Sequence, residues 1–140
     1  MPIPFKQYRV FVVDDEDVIA FSLAMVLRVQ GGFHARSFDK PADALNAAIT
    51  DPPDVLLSDV VMPGMTGIEL AVKMRTLCPD CKILLISGQA STADMLESAR
   101  LSGHNFELLS KPVHPVELWA NIRNLMESAP AVAPALEFTA

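Results

Sequence analysis

Val10-Phe11-Val12-Val13-Asp14-Asp15 is a short apolar run that stops on two acids. Val55-Leu56-Leu57-Ser58 stops on Asp59, Ile83-Leu84-Leu85-Ile86 stops on Ser87, and Phe106-Glu107-Leu108-Leu109-Ser110 stops on Lys111. Near-continuous apolar runs of this length read as strands covered on both faces, the pattern of a parallel sheet. If the four runs lie parallel in one sheet, their carboxyl ends gather three carboxylates, a hydroxyl and an ammonium. Such a collection can hold a divalent cation and a phosphoryl group.

Helical periodicity fills the gaps between the runs. Ile19, Leu23, Val26 and Leu27 recur at three- and four-residue spacing, with Glu16 and Asp17 at the start and Gly31-Gly32 at the end. Phe33 to Phe38 reads as a further short strand. Asp39 is the expected cap of a helix carrying Ala42, Leu45, Ala48 and Ile49, stopped by Asp51-Pro52-Pro53. The loop from Val60 to Gly67 leads into a helix expected over 67–77. Ser91-Thr92-Ala93-Asp94 has capping-box form ahead of Met95, Leu96 and Ala99. Pro115 opens a last helix with Leu118, Trp119, Ile122, Leu125 and Met126.

Strand and helix thus alternate five times, which predicts a doubly wound α/β fold with a five-stranded parallel sheet. In the order 2-1-3-4-5 the switch point falls between the strands ending at Asp14-Asp15 and at Asp59, where ligands bind. The 140 residues suffice for one domain, expected over 1–128, followed by an Ala/Pro-rich tail at 129–140 expected to be flexible. Leu136 and Phe138 are the tail's large apolar residues, with a frayed end favoured over docking. The composition, 51% apolar and 20% charged, is that of a globular protein. A net charge of −6 argues against nucleic-acid binding, which needs clustered Lys and Arg. No apolar run reaches membrane-spanning length and no signal-peptide pattern is seen, so a cytoplasmic protein is expected.

The chemistry narrows further. A carboxylate at a strand end can attack a phosphoryl group to give an acyl phosphate, provided the site positions it and neutralises charge. Mg²⁺ takes a few carboxylate oxygens, water and the phosphate itself, and Asp14, Asp15 and Asp59 offer such a shell. Lys111 would neutralise phosphoryl oxygens and Ser87 would donate a hydrogen bond.

This arrangement resembles the receiver domain of two-component response regulators, a flavodoxin-like fold, from about Arg9 to Met126. Val12-Val13-Asp14-Asp15-Glu16 is similar to the family's acidic pair. Asp59-Val60-Val61-Met62-Pro63-Gly64-Met65-Thr66-Gly67 is similar to its phospho-acceptor and following loop, Ser87-Gly88 to its switch hydroxyl with a small neighbour, and Lys111-Pro112 to its lysine-proline pair. The resemblance implies a role for each. Asp59 would accept phosphate from a phosphohistidine on a sensor histidine kinase or histidine phosphotransfer protein. Asp15 would bind Mg²⁺ directly, Asp14 through water, and Asp59 and the Val61 backbone carbonyl would complete the shell. Ser87, Gly88 and Lys111 would bind the phosphoryl group, and the Lys111-Pro112 bond would be cis. The domain would catalyse its own phosphorylation and dephosphorylation without being a metabolic enzyme, and would switch a protein-binding surface near the last two strand–helix units.

Departures from the family pattern carry expectations too. Leu108 stands where many members place the aromatic that swings with the switch residue, and Phe106 would replace it only if the strand bulges. Val61 and Gln89 hold the places that tune dephosphorylation in the family; Val61 cannot hydrogen-bond a water with its side chain, which predicts a comparatively long-lived phosphorylated form, while Gln89 could still orient that water. Val18, Ile19 and Ser22 are docking candidates for the kinase. Trp119 is expected in the core, His34, His104 and His114 on the surface or capping, and Cys78 and Cys81 as loop residues with incidental reactivity, since a lone C-x-x-C after a helix suits neither zinc nor redox chemistry. The runner-up is a constitutive, non-switching interaction module of the same fold, favoured by Leu108 alone. A phosphohydrolase would want a second acid where Val61 stands.

Overall fold

The computed structural model describes residues 7–88 and 92–127. The expected capping box at Ser91, Gln89, and the tail with Leu136 and Phe138 lie outside the described residues. Five strands, β1 (Arg9–Val13), β2 (His34–Phe38), β3 (Val55–Asp59), β4 (Lys82–Ser87) and β5 (Glu107–Ser110), alternate with α1 (Asp17–Val29), α2 (Pro41–Thr50), α3 (Gly67–Leu77), α4 (Thr92–Leu101) and α5 (Pro115–Glu127). The strands form one parallel sheet in the order β2-β1-β3-β4-β5. The doubly wound architecture and its order are as the alternation of patterns predicts.

Alternation along the three central strands sorts the core into two layers. Val10, Val12, Val55, Leu57, Leu84 and Ile86 pack with Ala20, Ala24 and Leu27 of α1 and Leu118 and Ile122 of α5. Phe11, Val13, Leu56, Ile83 and Leu85 pack on the other face with Ala44 and Ala48 of α2, Leu70, Ala71 and Met74 of α3, and Ala99 of α4. The outer strands β2 and β5 are far less buried, as sheet edges are. Trp119 is half-buried and joins the α1/α5 layer, in line with a core role. Arg123 of α5 donates to the Gly31 carbonyl at 2.8 Å and lies 4.6 Å over the Phe33 ring, tying α5 to the α1–β2 turn.

Local chemistry sets the helix ends, with one departure from expectation. Lys40, not Asp39, is the N-cap of α2, and no side chain caps it; Pro41 at the first helical position fixes φ instead. A capping box forms at the start of α3: the Glu69 amide donates to Thr66 Oγ1 at 3.1 Å and the Thr66 amide to Glu69 Oε1 at 2.8 Å. His114 caps α5, accepting the Val116 amide at Nδ1. His34 is exposed at the start of β2, whereas His104 is half-buried.

Cys78 and Cys81 are free and buried, and burial is the first cause raising both thiols, Cys81 to about 12. Cys78 caps the carboxyl end of α3, the end of a helix that disfavours a thiolate, so both side chains are packing residues.

Leu57 is fully buried between α1, α5 and the sheet. Leu57→Ala is expected to cost about 2–5 kcal/mol, read from the urea unfolding midpoint, because the closed layer cannot collapse into the space.

Candidate phosphoryl-acceptor and cation site

Each residue of the site sits where a strand ends. Asp14 follows β1, Asp59 closes β3, Ser87 closes β4 and Lys111 follows β5. The strand ladders continue just past these ends and hold them in place. The Asp14 amide donates to the Phe38 carbonyl at 3.1 Å, the Val60 amide to the Ile86 carbonyl at 3.0 Å and the Lys111 amide to the Ser87 carbonyl at 2.9 Å. Lys111-Pro112 is a cis peptide, as the resemblance implies.

The arrangement brings the three carboxylates together. One oxygen each from Asp14, Asp15 and Asp59 lies within 4.8 Å of the others. In an octahedral Mg²⁺ shell with bonds of about 2.1 Å, neighbouring ligands stand about 3.0 Å apart and opposite ones about 4.2 Å, so these three oxygens could share that ion directly, or partly through water, once they draw closer together. Lys111 Nζ is 3.3 Å from Asp59 Oδ1 and 3.7 Å from Asp14 Oδ2, spanning two of the acids. Asp14 is buried, Asp59 half-buried and Asp15 exposed, which grades the site from sheet to solvent. Asp14 also accepts the Glu16 amide at 2.9 Å.

Electrostatics follows from this geometry. Burial, before any charge, pushes the Asp14 and Asp59 carboxyls above the ordinary 3.8, and the neighbouring carboxylates add to it. The Lys111 ammonium acts in the opposite direction on both, and the Glu16 amide on Asp14. A bound dication would remove the penalty that remains.

Two glycines shape the rim. A Cβ on Gly67 would lie 2.1 Å from the Asp59 carbonyl oxygen, so only glycine lets the start of α3 close on the end of β3. Its amide donates to the Val60 carbonyl at 2.8 Å. Gly88 lies beside Lys111, where a Cβ would meet the lysine Cβ at 3.4 Å. The Thr66–Glu69 capping box fixes the same loop from the far end. Its T-x-x-E spacing is legible in the sequence, although Ser91 draws attention first.

The bulge on which a substitution by Phe106 depends is absent from β5. Leu108 pairs with Leu85 and Ser110 with Ser87 in unbroken register. Leu108 therefore lies on the same face as Ser110, the direct partner of Ser87, and one pair further from the strand end, and it stands 37% exposed. Phe106 lies four residues before Ser110, about 13 Å along the strand at roughly 3.3 Å per residue. Its ring sits between the Arg75 guanidinium, 4.7 Å away, and the stacked His104 ring, centroids 6.0 Å apart. Phe106 thus ties β5 to α3 and does not replace the missing aromatic.

Among the docking candidates, Val18 and Ser22 are exposed, whereas Ile19 is half-buried. Ile19 and Leu23 line a hollow of about 520 Å³ with Gly88, Lys111, Pro112 and Val113 at the edge of the site.

What the fold and these side chains define is an α/β domain with an acidic pocket at its switch point, bridged by one lysine. The chain belongs to the response regulator receiver domain family, whose pattern it matches over residues 10–123. It is 33% identical over 121 residues to the response regulator receiver protein CpdR of Brucella abortus, covering 86% of this chain and 98% of that protein. It is 30% identical to the transcriptional regulatory protein CreB of Escherichia coli, of which it spans 52%. Among solved structures it is similar to a CheY-like receiver domain protein of Methanospirillum hungatei, at 26% identity and a TM-score of 0.76, over 86% of this chain and 94% of the other. The protein is thus a two-component signal transduction receiver, and the phosphorelay reading prevails over a constitutive module. Receivers bind Mg²⁺ at such an acidic pocket, engage histidine kinases or phosphotransfer proteins, and are not metabolic enzymes. No helix among the described residues is long and apolar enough to cross a membrane.

Carboxyls held above their ordinary pKa bind a proton more tightly folded than unfolded. Between the ordinary value and the raised one, stability therefore falls as pH rises. Without metal, Asp14→Asn is expected to be more stable than wild type at neutral pH. The gain should shrink as the pH drops through the raised value toward the ordinary carboxyl value, and change no further below it, read by urea unfolding at each pH.

Proposed function

We propose that Asp59 is the phosphoryl acceptor and that Asp14, Asp15 and the Val61 backbone carbonyl hold Mg²⁺ with it. The carrying observation is the pocket itself: three carboxylates whose oxygens share a 4.8 Å span, with Lys111 Nζ 3.3 Å from Asp59. Asp15, the exposed acid, would bind the ion directly, and Asp14, buried and already accepting the Glu16 amide, would bind it through water. The ion, when bound, neutralises charge on the transferring phosphoryl group.

The chain's own residues supply the rest. An Asp59 carboxylate oxygen attacks the phosphorus of a phosphohistidine, the P–O bond forms as the P–N bond breaks, and the imidazole nitrogen keeps the electron pair. Lys111 leaves its ion pair with Asp59 to meet the phosphoryl oxygens that the carboxylate now carries. Ser87 Oγ and the Gly88 amide complete the phosphoryl cradle, and the movement of Ser87 reshapes the β4–α4 and β5–α5 connections. The donor is a sensor histidine kinase or histidine phosphotransfer protein that docks along Ile19 and the hollow beside Lys111. A cytoplasmic setting, and action on a protein rather than on nucleic acid, fit a net charge of −6.

Hydrolysis of the acyl phosphate needs a water aligned on phosphorus, and Val61, 38% exposed at the pocket rim, offers that water no hydrogen bond. The phosphorylated form is therefore long-lived.

Incubation with Mg²⁺ and a small acyl-phosphate donor, followed by intact-mass measurement, tests both statements. One phosphate should add to the wild type and none to Asp59→Asn. Once donor is removed, Val61→Asn should lose the group several-fold faster than wild type. No gain in wild type would overturn the acceptor assignment, and equal decay would remove the role given to Val61.

A further inference from the structure

Helix α1 carries a second apolar surface that the fold does not use. Ala20, Ala24 and Leu27 are buried against the sheet. Ile19 and Leu23 turn toward the hollow beside Lys111. Val18, Phe21, Met25 and Val29 face neither, and stand 72%, 53%, 39% and 73% exposed. At about 100° per residue these four form one stripe, roughly 135° around the helix from each of the other two faces. Scattered exposed apolar residues are ordinary, but a continuous seam at helical spacing marks a contact surface.

The charges beside the stripe show what fits it. Asp17 stands in the first turn of α1 and Arg28 in the last, both on one flank of the seam. Arg28 already leans over it, its guanidinium 5.9 Å from the Phe21 ring. A helix acidic at one end and basic at the other along a single flank is complementary to itself reversed. Antiparallel pairing about a two-fold axis sets Val18 opposite Val29 and Ser22 opposite Met25. It also brings Asp17 of each copy to Arg28 of the other and opposes the helix dipoles.

We propose that this receiver self-associates through the Val18-Phe21-Met25-Val29 stripe, α1 packing antiparallel on α1 of a second copy. The seam is about 18 Å long at 1.5 Å per residue, short of a standard interface, so the dimer is weak and forms toward millimolar concentration. Pairing on this stripe does not depend on Asp59 accepting phosphate.

Sedimentation equilibrium of the full chain, from micromolar to millimolar, tests it. The apparent mass of wild type should rise toward that of two chains. Phe21→Glu should raise the dissociation constant at least about tenfold. Should Phe21→Glu fail to fold by circular dichroism, Val29→Glu makes the same test on the most exposed member of the stripe. Asp17→Arg and Arg28→Asp should each abolish association alone, because each sets like charges together, yet their equimolar mixture should dimerise through two restored pairs. A monomer throughout, a dimer indifferent to both glutamate variants, or a mixture that stays monomeric would overturn the proposal. Each outcome is read without phosphorylation, so it leaves the Asp59 assignment untouched.

Discussion

Asp14, Asp15 and Asp59 hold their negative charges within 4.8 Å of one another at the end of a buried sheet. Left to themselves, such charges would separate or protonate. Here they can do neither freely, because the strands that carry them are locked into their ladders beyond the last core residue. The amides of Asp14, Val60 and Lys111 each donate to a carbonyl of the neighbouring strand. The two apolar layers hold those strands, so hydrophobic burial on both faces of the sheet sustains an electrostatic arrangement that is unfavourable in itself.

The partial remedy is Lys111. One ammonium spanning Asp14 and Asp59 offsets part of the repulsion and leaves the pocket one or more positive charges short. In the proposed function, that deficit would make the pocket receptive to a dication and then to a phosphoryl group. The loop between β3 and α3 is tightened to the same end. Gly67 lets α3 press on the Asp59 carbonyl, while the Thr66–Glu69 box fixes its first turn. Both constrain the backbone within ten residues of Asp59. Stability is sacrificed at the site and recovered in the layers beneath it, a common division in functional pockets.

Much of this was legible in the chain because apolar runs and acidic stops coincide. Strands β1, β3 and β4 announce themselves, and the residues that follow them are the site. What stayed illegible depends on register or on competition between neighbours. Asp39 is a better capping residue than Lys40, yet Pro41 begins the helix and moves the cap by one. Phe106 looked able to stand in for an aromatic at the Leu108 place, and only the unbroken pairing of Leu108 with Leu85 shows how far from Ser87 it lies. The apolar period of α1 is plain, but its outer stripe becomes visible only when Ala20, Ala24 and Leu27 are seen to take the core. Carboxylate separation, the quantity the chemistry needs, is a property of three strand ends at once.

The central claim is that the strand ends form one cation pocket, and a magnesium titration followed through backbone amide resonances tests it most directly. The account predicts saturable shifts concentrated at Asp14, Asp15, Asp59 to Val61, Gly88 and Lys111, and lost in Asp59→Asn. Absence of saturable shifts, or shifts centred elsewhere on the acidic surface, would contradict it.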